Sequence, residues 1–201
     1  MIAIVDYGMG NLRSVTNAFG KVGAEVKVTR DLKTIRDARA MVLPGVGAFG
    51  KCVENLRRFD LFDFLKEEIA RGKPYMGICL GMQILLESSE EAPGIEGMGV
   101  IKGSVVRFQG GMKVPHMGWN SVDIVKPGKI FDGVPKGSYF YFVHSYYPAP
   151  VEEDVTATFT EYGVRFTSSI QKENIFASQF HPEKSQGIGL KVLRNFVSLC
   201  A

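Results

Sequence analysis

"KPYMGICLGMQ", Lys73 to Gln83, runs an apolar, strand-like segment into the start of an amphipathic one, with only a glycine-flanked cysteine between them. Tyr75, Met76 and Ile78 form a short continuous apolar run, the pattern of a strand covered on both faces. Beyond Cys79, residues Met82, Leu85 and Leu86 fall on one side of a short helix, which the acidic "ESSEEAPGIEG" is expected to end. A covered strand leading directly into a helix is half of a βαβ unit, so this stretch points to a parallel sheet.

Working towards the amino end, "IAIVDYG" is a second covered strand. Leu12, Val15, Ala18, Phe19 and Val22 follow at helical spacing, with Gly23 as the stop. "AEVKV" and "ARAMVLPG" read as further strands, and Val53, Leu56, Phe59, Leu61, Phe64, Leu65 and Ile69 mark one helix or two broken near Asp60. The second half is β-rich. "GSVVRF", "WNSVDIV", "YFYFVHSYY", "VTATFTEYG", "VRFTSSIQ" and "IFASQF" are strand-like runs separated by turn residues, with "EYGV" as a hairpin. Leu190, Leu193, Phe196 and Val197 close the chain with an amphipathic helix. No repeat or linker interrupts residues 1–201. The expectation is a single α/β domain with a mixed, mostly parallel open sheet and helices on both faces.

Composition narrows the function classes. The 201 residues are 45% hydrophobic and 22% charged, ordinary for a globular chain, and 24 basic and 21 acidic residues are mixed rather than clustered. Neither a nucleic-acid nor a membrane partner is indicated. Cys52, Cys79 and Cys200 are dispersed and odd in number, and there are three histidines, so no disulfide framework, metal site or cofactor is expected. A reducing, cytoplasmic setting fits. "MIAIVDYG" reaches Asp6 without a basic leader, and no apolar run approaches the roughly 20 residues of a spanning helix. Export and anchoring are not expected.

In open parallel sheets, ligands bind at the carboxyl ends of strands, and three of those loops here are glycine-rich. Gly77 and Gly81 stand two residues either side of Cys79, the spacing of a nucleophile elbow. A sharp turn lifts the side chain above the sheet only where its neighbours lack Cβ atoms, and the N–H groups of the following helix favour a thiolate. A small buried cysteine in a glycine turn fits the same letters; a base decides between them. "QFHPEKS" offers one. Pro182 pushes His181 towards extended geometry, in which His181 and Glu183 point the same way, so the acid can orient the imidazole. The same letters also fit a strand-ending turn with an exposed acid. Because histidine precedes acid, the order differs from that of α/β-hydrolases, and another cysteine hydrolase class is indicated.

"GICLGMQ" together with "HPE" resembles the class I, or triad, glutamine amidotransferases, whose fold is flavodoxin-like. "DYGMGNLRSV", "LPGVGAFG", "VPHMGWN", "YFVHSY" and "QFHPEKS" extend the resemblance to the subfamily of glutaminase subunits of imidazole glycerol phosphate synthase. The resemblance implies that Cys79 is the nucleophile on L-glutamine, His181 the base and then acid, and Glu183 its orienter. It implies an oxyanion hole from the N–H groups of Leu80 and Val46, and a glutamine pocket of Gly47, Gln83, His144, Ser145 and Tyr146. Pattern alone makes His144 a packed strand histidine as readily as a ligand residue. No second domain that could use ammonia is expected within these 201 residues, so the resemblance also implies a heterodimer with a (β/α)₈-barrel cyclase subunit. Asn11, Trp119 and Lys184 would dock it, with Tyr141 near the ammonia exit. Two other readings fit the triad letters: a glutaminase serving another acceptor, such as pyridoxal phosphate synthase, and a catalytically dead regulatory subunit on the same fold.

Overall fold

The structure, a computed structural model, describes residues 1–200. Strands β1 (Ile2–Val5), β2 (Val26–Thr29), β3 (Ala40–Gly45) and β4 (Tyr75–Cys79) alternate with helices α1 (Leu12–Lys21), α2 (Leu32–Asp37), α3 (Phe49–Arg58) and α4 (Leu61–Ala70). The chain breaks between α3 and α4 at Asp60, which takes a left-handed conformation with φ 57°. Helix α5 (Leu80–Gln83) follows β4 without an intervening residue. Then come β5 (Ser88–Ser89), β6 (Gly103–Arg107), β7 (His116–Ser121), β8 (Asp123–Ile124), β9 (Tyr139–His144), β10 (Tyr146–Pro150), β11 (Thr156–Glu161), β12 (Arg165–Lys172) and β13 (Ile175–Ser178), before α6 (Gln186–Leu199).

Eight strands form the central sheet in the order β2-β1-β3-β4-β13-β12-β11-β8. Neighbours from β2 to β13 pair in parallel and those from β13 to β8 antiparallel, so the sheet is mixed and mostly parallel, as expected. Its two faces carry two cores, because successive side chains on a strand point oppositely. Ile2, Ile4, Val42, Met76 and Ile78 pack on one side with Phe19 of α1 and Leu193 and Phe196 of α6. Ala3, Val5, Met41, Leu43 and Tyr75 pack on the other with Ile35, Leu56 and Leu65 of α2, α3 and α4. Burying both faces explains why these strands read as continuous apolar runs. The "EYGV" hairpin joins β11 to β12, with Glu161 paired to Arg165.

Three expectations need correction. Helix α5 ends at Gln83, and Leu85 and Leu86 lie beyond it in turns. Met98, Ile101 and Gly99 donate backbone hydrogen bonds to the carbonyls of Ile84, Leu85 and Leu86, so the acceptors a longer helix would use are already taken. "YFYFVHSYY" is not one strand: it divides at Ser145 into β9, which pairs with β7 in a separate ribbon, and β10, which pairs with β6. "WNSVDIV" likewise divides between β7 of that ribbon and β8 of the main sheet. Alternation reports which residues face the same way, and it carries no information about which strand lies alongside.

Candidate active site

Cys79 ends β4 with φ 53° and ψ −103°, a conformation that costs a non-glycine residue energy and turns the side chain out of the strand. The turn is tight enough to require its glycines. A Cβ on Gly81 would strike the Leu43 carbonyl oxygen and one on Gly77 the Gly81 carbonyl oxygen. Gly45 pairs with Cys79 across β3 and β4, where a Cβ would meet Leu80 Cβ at 2.5 Å and Tyr7 Oη at 2.8 Å. The loop after β3 is thereby laid directly beside the elbow.

His181 and Glu183 follow β13, the parallel neighbour of β4, so sheet order brings them to Cys79 from about a hundred residues away. His181 Nδ1 bonds Glu183 Oε1 at 2.8 Å, and both side chains are almost fully buried, 2% and 1% exposed. The base is pinned from behind. Its backbone N–H donates to Tyr141 O at 2.9 Å, while the Ser185 hydroxyl donates to His181 O at 2.6 Å and accepts from Tyr141 N–H at 3.0 Å. Burial opposes protonation of His181, yet the negative charge of Cys79 as a thiolate and then the Glu183 carboxylate outweigh it and raise the imidazole to about 9. His181 Nε2 is buried without a hydrogen-bond partner. That nitrogen is where the proton of the Cys79 thiol can be taken up, leaving a thiolate beside an imidazolium.

A cavity of about 380 Å³ opens over the sulfur, lined by Val46, Gly47, Cys79, Leu80, Gln83, His144, Ser145 and Tyr146, together with Glu91 and Lys184. The residues assigned by resemblance to the oxyanion hole and the glutamine pocket therefore share one chamber. Gly47 adopts φ +112°, a region open to glycine and strained for other residues. A larger depression of about 610 Å³ beside Phe131 and Val134 lies elsewhere and is lined by neither the elbow nor the His-Pro-Glu segment.

His144 lines the cavity, and both of its ring nitrogens are engaged by protein partners. The Tyr146 carbonyl can only accept, so His144 Nδ1–H donates to it at 2.8 Å and its Nε2 accepts from His116 Nδ1–H at 3.0 Å. His116 Nε2 in turn accepts from the Asn120 amide at 3.2 Å. Burial lowers His116 to about 4 and His144 to about 3, which keeps both rings neutral.

On the ribbon, pairing sets Trp119 opposite Tyr141. Their rings meet edge to face at 6.2 Å, and the Lys184 ammonium lies 5.6 Å from the Tyr141 ring centre. Trp119, Met117 and Tyr139 are 46%, 62% and 59% exposed, an apolar patch beside the chamber. Asn11 stands in the loop after β1, where its side chain caps α1 by accepting from Ser14 N–H at 3.3 Å.

Two further residues of the site, Glu91 in the chamber wall and Gln179 buried behind the sulfur's elbow, carry no signal in the sequence. Glu91 lies in the acidic loop expected only to end a helix; its Oε2 accepts from the Phe49 backbone N–H at 2.8 Å, fixing a carboxylate at the cavity wall. Gln179 donates to Cys79 Sγ at 3.3 Å. It sits inside "QFHPEKS", yet nothing in spacing or type marks it apart from a packed polar residue.

The profile of the family described as Glutamine amidotransferase class-I matches residues 3–199. "Imidazole glycerol phosphate synthase subunit HisH" of Methanothermobacter thermautotrophicus is 52% identical over 199 residues, covering 99% of this chain and 98% of the relative. The protein of the same description from Moorella thermoacetica is 50% identical, covering 98% and 94%. A solved structure described as a crystal structure of glutamine amidotransferase superimposes with a TM-score of 0.79 at 19% identity, over 100% of this chain and 99% of that one, a likeness of fold.

Proposed function

Because the chain belongs to the family of class-I glutamine amidotransferases, we propose that Cys79, His181 and Glu183 act as a triad on the side-chain amide of glutamine. The chain hydrolyses glutamine to glutamate and ammonia. It passes the ammonia to a barrel-shaped cyclase subunit that makes imidazole glycerol phosphate and aminoimidazole carboxamide ribotide in histidine biosynthesis. The observation that carries the residue roles is the meeting of a strained, cavity-lining cysteine with a buried His–Glu pair whose outer nitrogen is free.

The thiol proton passes to His181 Nε2, and the thiolate Sγ then adds to the amide carbon beside the imidazolium. Negative charge then develops on the carbonyl oxygen, where the N–H groups of Leu80 and Val46 receive it; one such donor is worth about 10²–10³ in rate. His181 returns the proton to the leaving nitrogen, ammonia departs, and a γ-glutamyl thioester remains. Water deprotonated by the same imidazole then cleaves the thioester to glutamate and regenerates the thiol. Gly47, Gln83, His144, Ser145 and Tyr146 shape the glutamine pocket, and the fixed Glu91 carboxylate suits the substrate's ammonium group.

Docking of the cyclase uses Asn11, Trp119, Tyr141 and Lys184. A half-exposed tryptophan flanked by Met117 and Tyr139 suits an interface anchor, and Tyr141 stands between that patch and the chamber, the place for an ammonia exit. The profile match from residue 3 to 199 supports one domain, and the unpaired Cys52, Cys79 and Cys200 suit a reducing cytoplasm. Among the described residues, no helix is long and apolar enough to cross a membrane. In the complex with its cyclase, Cys79→Ala should abolish glutamine-dependent synthesis and leave ammonia-dependent synthesis intact, because the two chemistries belong to separate chains. Loss of both from an intact complex would contradict that division.

A further inference from the structure

Gln179 stands between β13 and His181 and is 0% exposed. Its Oε1 accepts from Gln83 Nε2 at 3.0 Å, and its own Nε2 donates to Cys79 Sγ at 3.3 Å. The direction of this amide is set from outside. The Tyr146 carbonyl can only accept, so the group of Gln83 that reaches it at 2.9 Å must be the NH₂. That same NH₂ faces Gln179 and requires an acceptor there, which leaves the Gln179 NH₂ aimed at sulfur. A backbone carbonyl thus dictates, through two buried amides, that the nucleophile receives a donor.

We infer that Gln179 is a positioning residue for the nucleophile: its amide N–H holds Sγ in the elbow and stabilises the thiolate, with Gln83 fixing the direction of the bond. Sulfur in a thiol accepts hydrogen bonds weakly and a thiolate strongly, so the contact favours the charged form. The displaced proton has a receptor in the unpartnered Nε2 of His181. The arrangement also gives Gln83 a second use. With both its hydrogens committed to Tyr146 O and Gln179 Oε1, only its own oxygen is left to meet a ligand in the cavity.

This inference rests on Cys79 being the nucleophile, and the experiment separates the two. The full-length chain is treated with iodoacetamide across a pH series, and the rate at Cys79 is followed by peptide mass spectrometry. Gln179→Leu should raise the midpoint of the rate by about one pH unit, the size of one lost hydrogen bond to a charged group, and reach the wild-type plateau at high pH. Gln179→Glu keeps the shape and the acceptor for Gln83 but turns an oxygen towards sulfur; its midpoint should rise further. The near-isosteric variant carries the test should the leucine variant melt early. Equal midpoints in wild type and in either folded variant would overturn the role of Gln179, since a purely structural residue would alter stability and leave the midpoint unmoved. Persistent glutamine hydrolysis by Cys79→Ala would instead overturn the nucleophile assignment.

Discussion

Glu183→Gln removes one charge from a pair whose two members are almost wholly out of water. The Cys79 thiolate and the Glu183 carboxylate raise His181 from 6.5 to about 9 against the cost of burial, so the fold prefers the charged imidazole. Cys79 supplies the first share of that preference and Glu183 a smaller one, so neutralising the acid should withdraw about 1–2 kcal/mol, or about 5- to 30-fold. Loss of the charge-assisted bond at 2.8 Å also loosens the ring, and the combined fall in kcat/KM should be about 10²-fold, within the range of general acid–base effects. The assay is glutamate release by the chain with its cyclase partner across a pH series. Because a carboxylate that raises His181 is gone, the imidazolium loses its proton at a lower pH, and the basic limb of the profile moves down. A variant with near wild-type kcat/KM and an unmoved basic limb would refute the argument that Glu183 holds the imidazolium.

The paired histidines predict acid sensitivity. Both are held neutral in the fold, at about 4 for His116 and about 3 for His144, whereas in the unfolded chain they gain protons below about 6.5. Stability from this source is present above 6.5 and falls by about 1.4 kcal/mol per pH unit per histidine on acidification through that window. Denaturant midpoints at neutral and mildly acidic pH should show a shallower loss in His116→Gln, and parallel losses would count against it. Gly81→Ala should lower stability by about 1–3 kcal/mol and disable the elbow, because the new methyl group meets the Leu43 carbonyl. An unchanged urea midpoint would show that the turn has slack the structure does not contain. Cys52 and Cys200, pushed by burial up to about 12 and about 11, should alkylate far more slowly than Cys79 in native protein, as peptide mapping would report.

Much of the scaffold is legible in local pattern. Covered apolar runs ending in glycine locate β1, β3 and β4, helical spacing locates α1, α3, α4 and α6, and the carboxyl ends of those strands are where the chamber opens. Helix α2 leaves no such pattern, for it is six residues long and buries only Ile35. The division at Ser145 and the early end of α5 are not encoded locally either, since each depends on which segment lies alongside rather than on the residues themselves.

The sequence by itself determined the identity of the reactive groups: a cysteine between glycines, a histidine followed at two residues by an acid, and the strands that carry them. Spacing within a few residues encodes such choices, because backbone geometry there is nearly fixed by local sterics. Only the tertiary structure decided what those groups meet. Pairing β13 against β4 brought His181 to Cys79; turning the chain at Ser145 set His144 and Tyr146 at the chamber wall; and Gln179 was aimed at sulfur by a carbonyl more than thirty residues earlier. These contacts are non-local, and the glycine-flanked cysteine of "KPYMGICLGMQ" acquires its partners only when the sheet has closed around it.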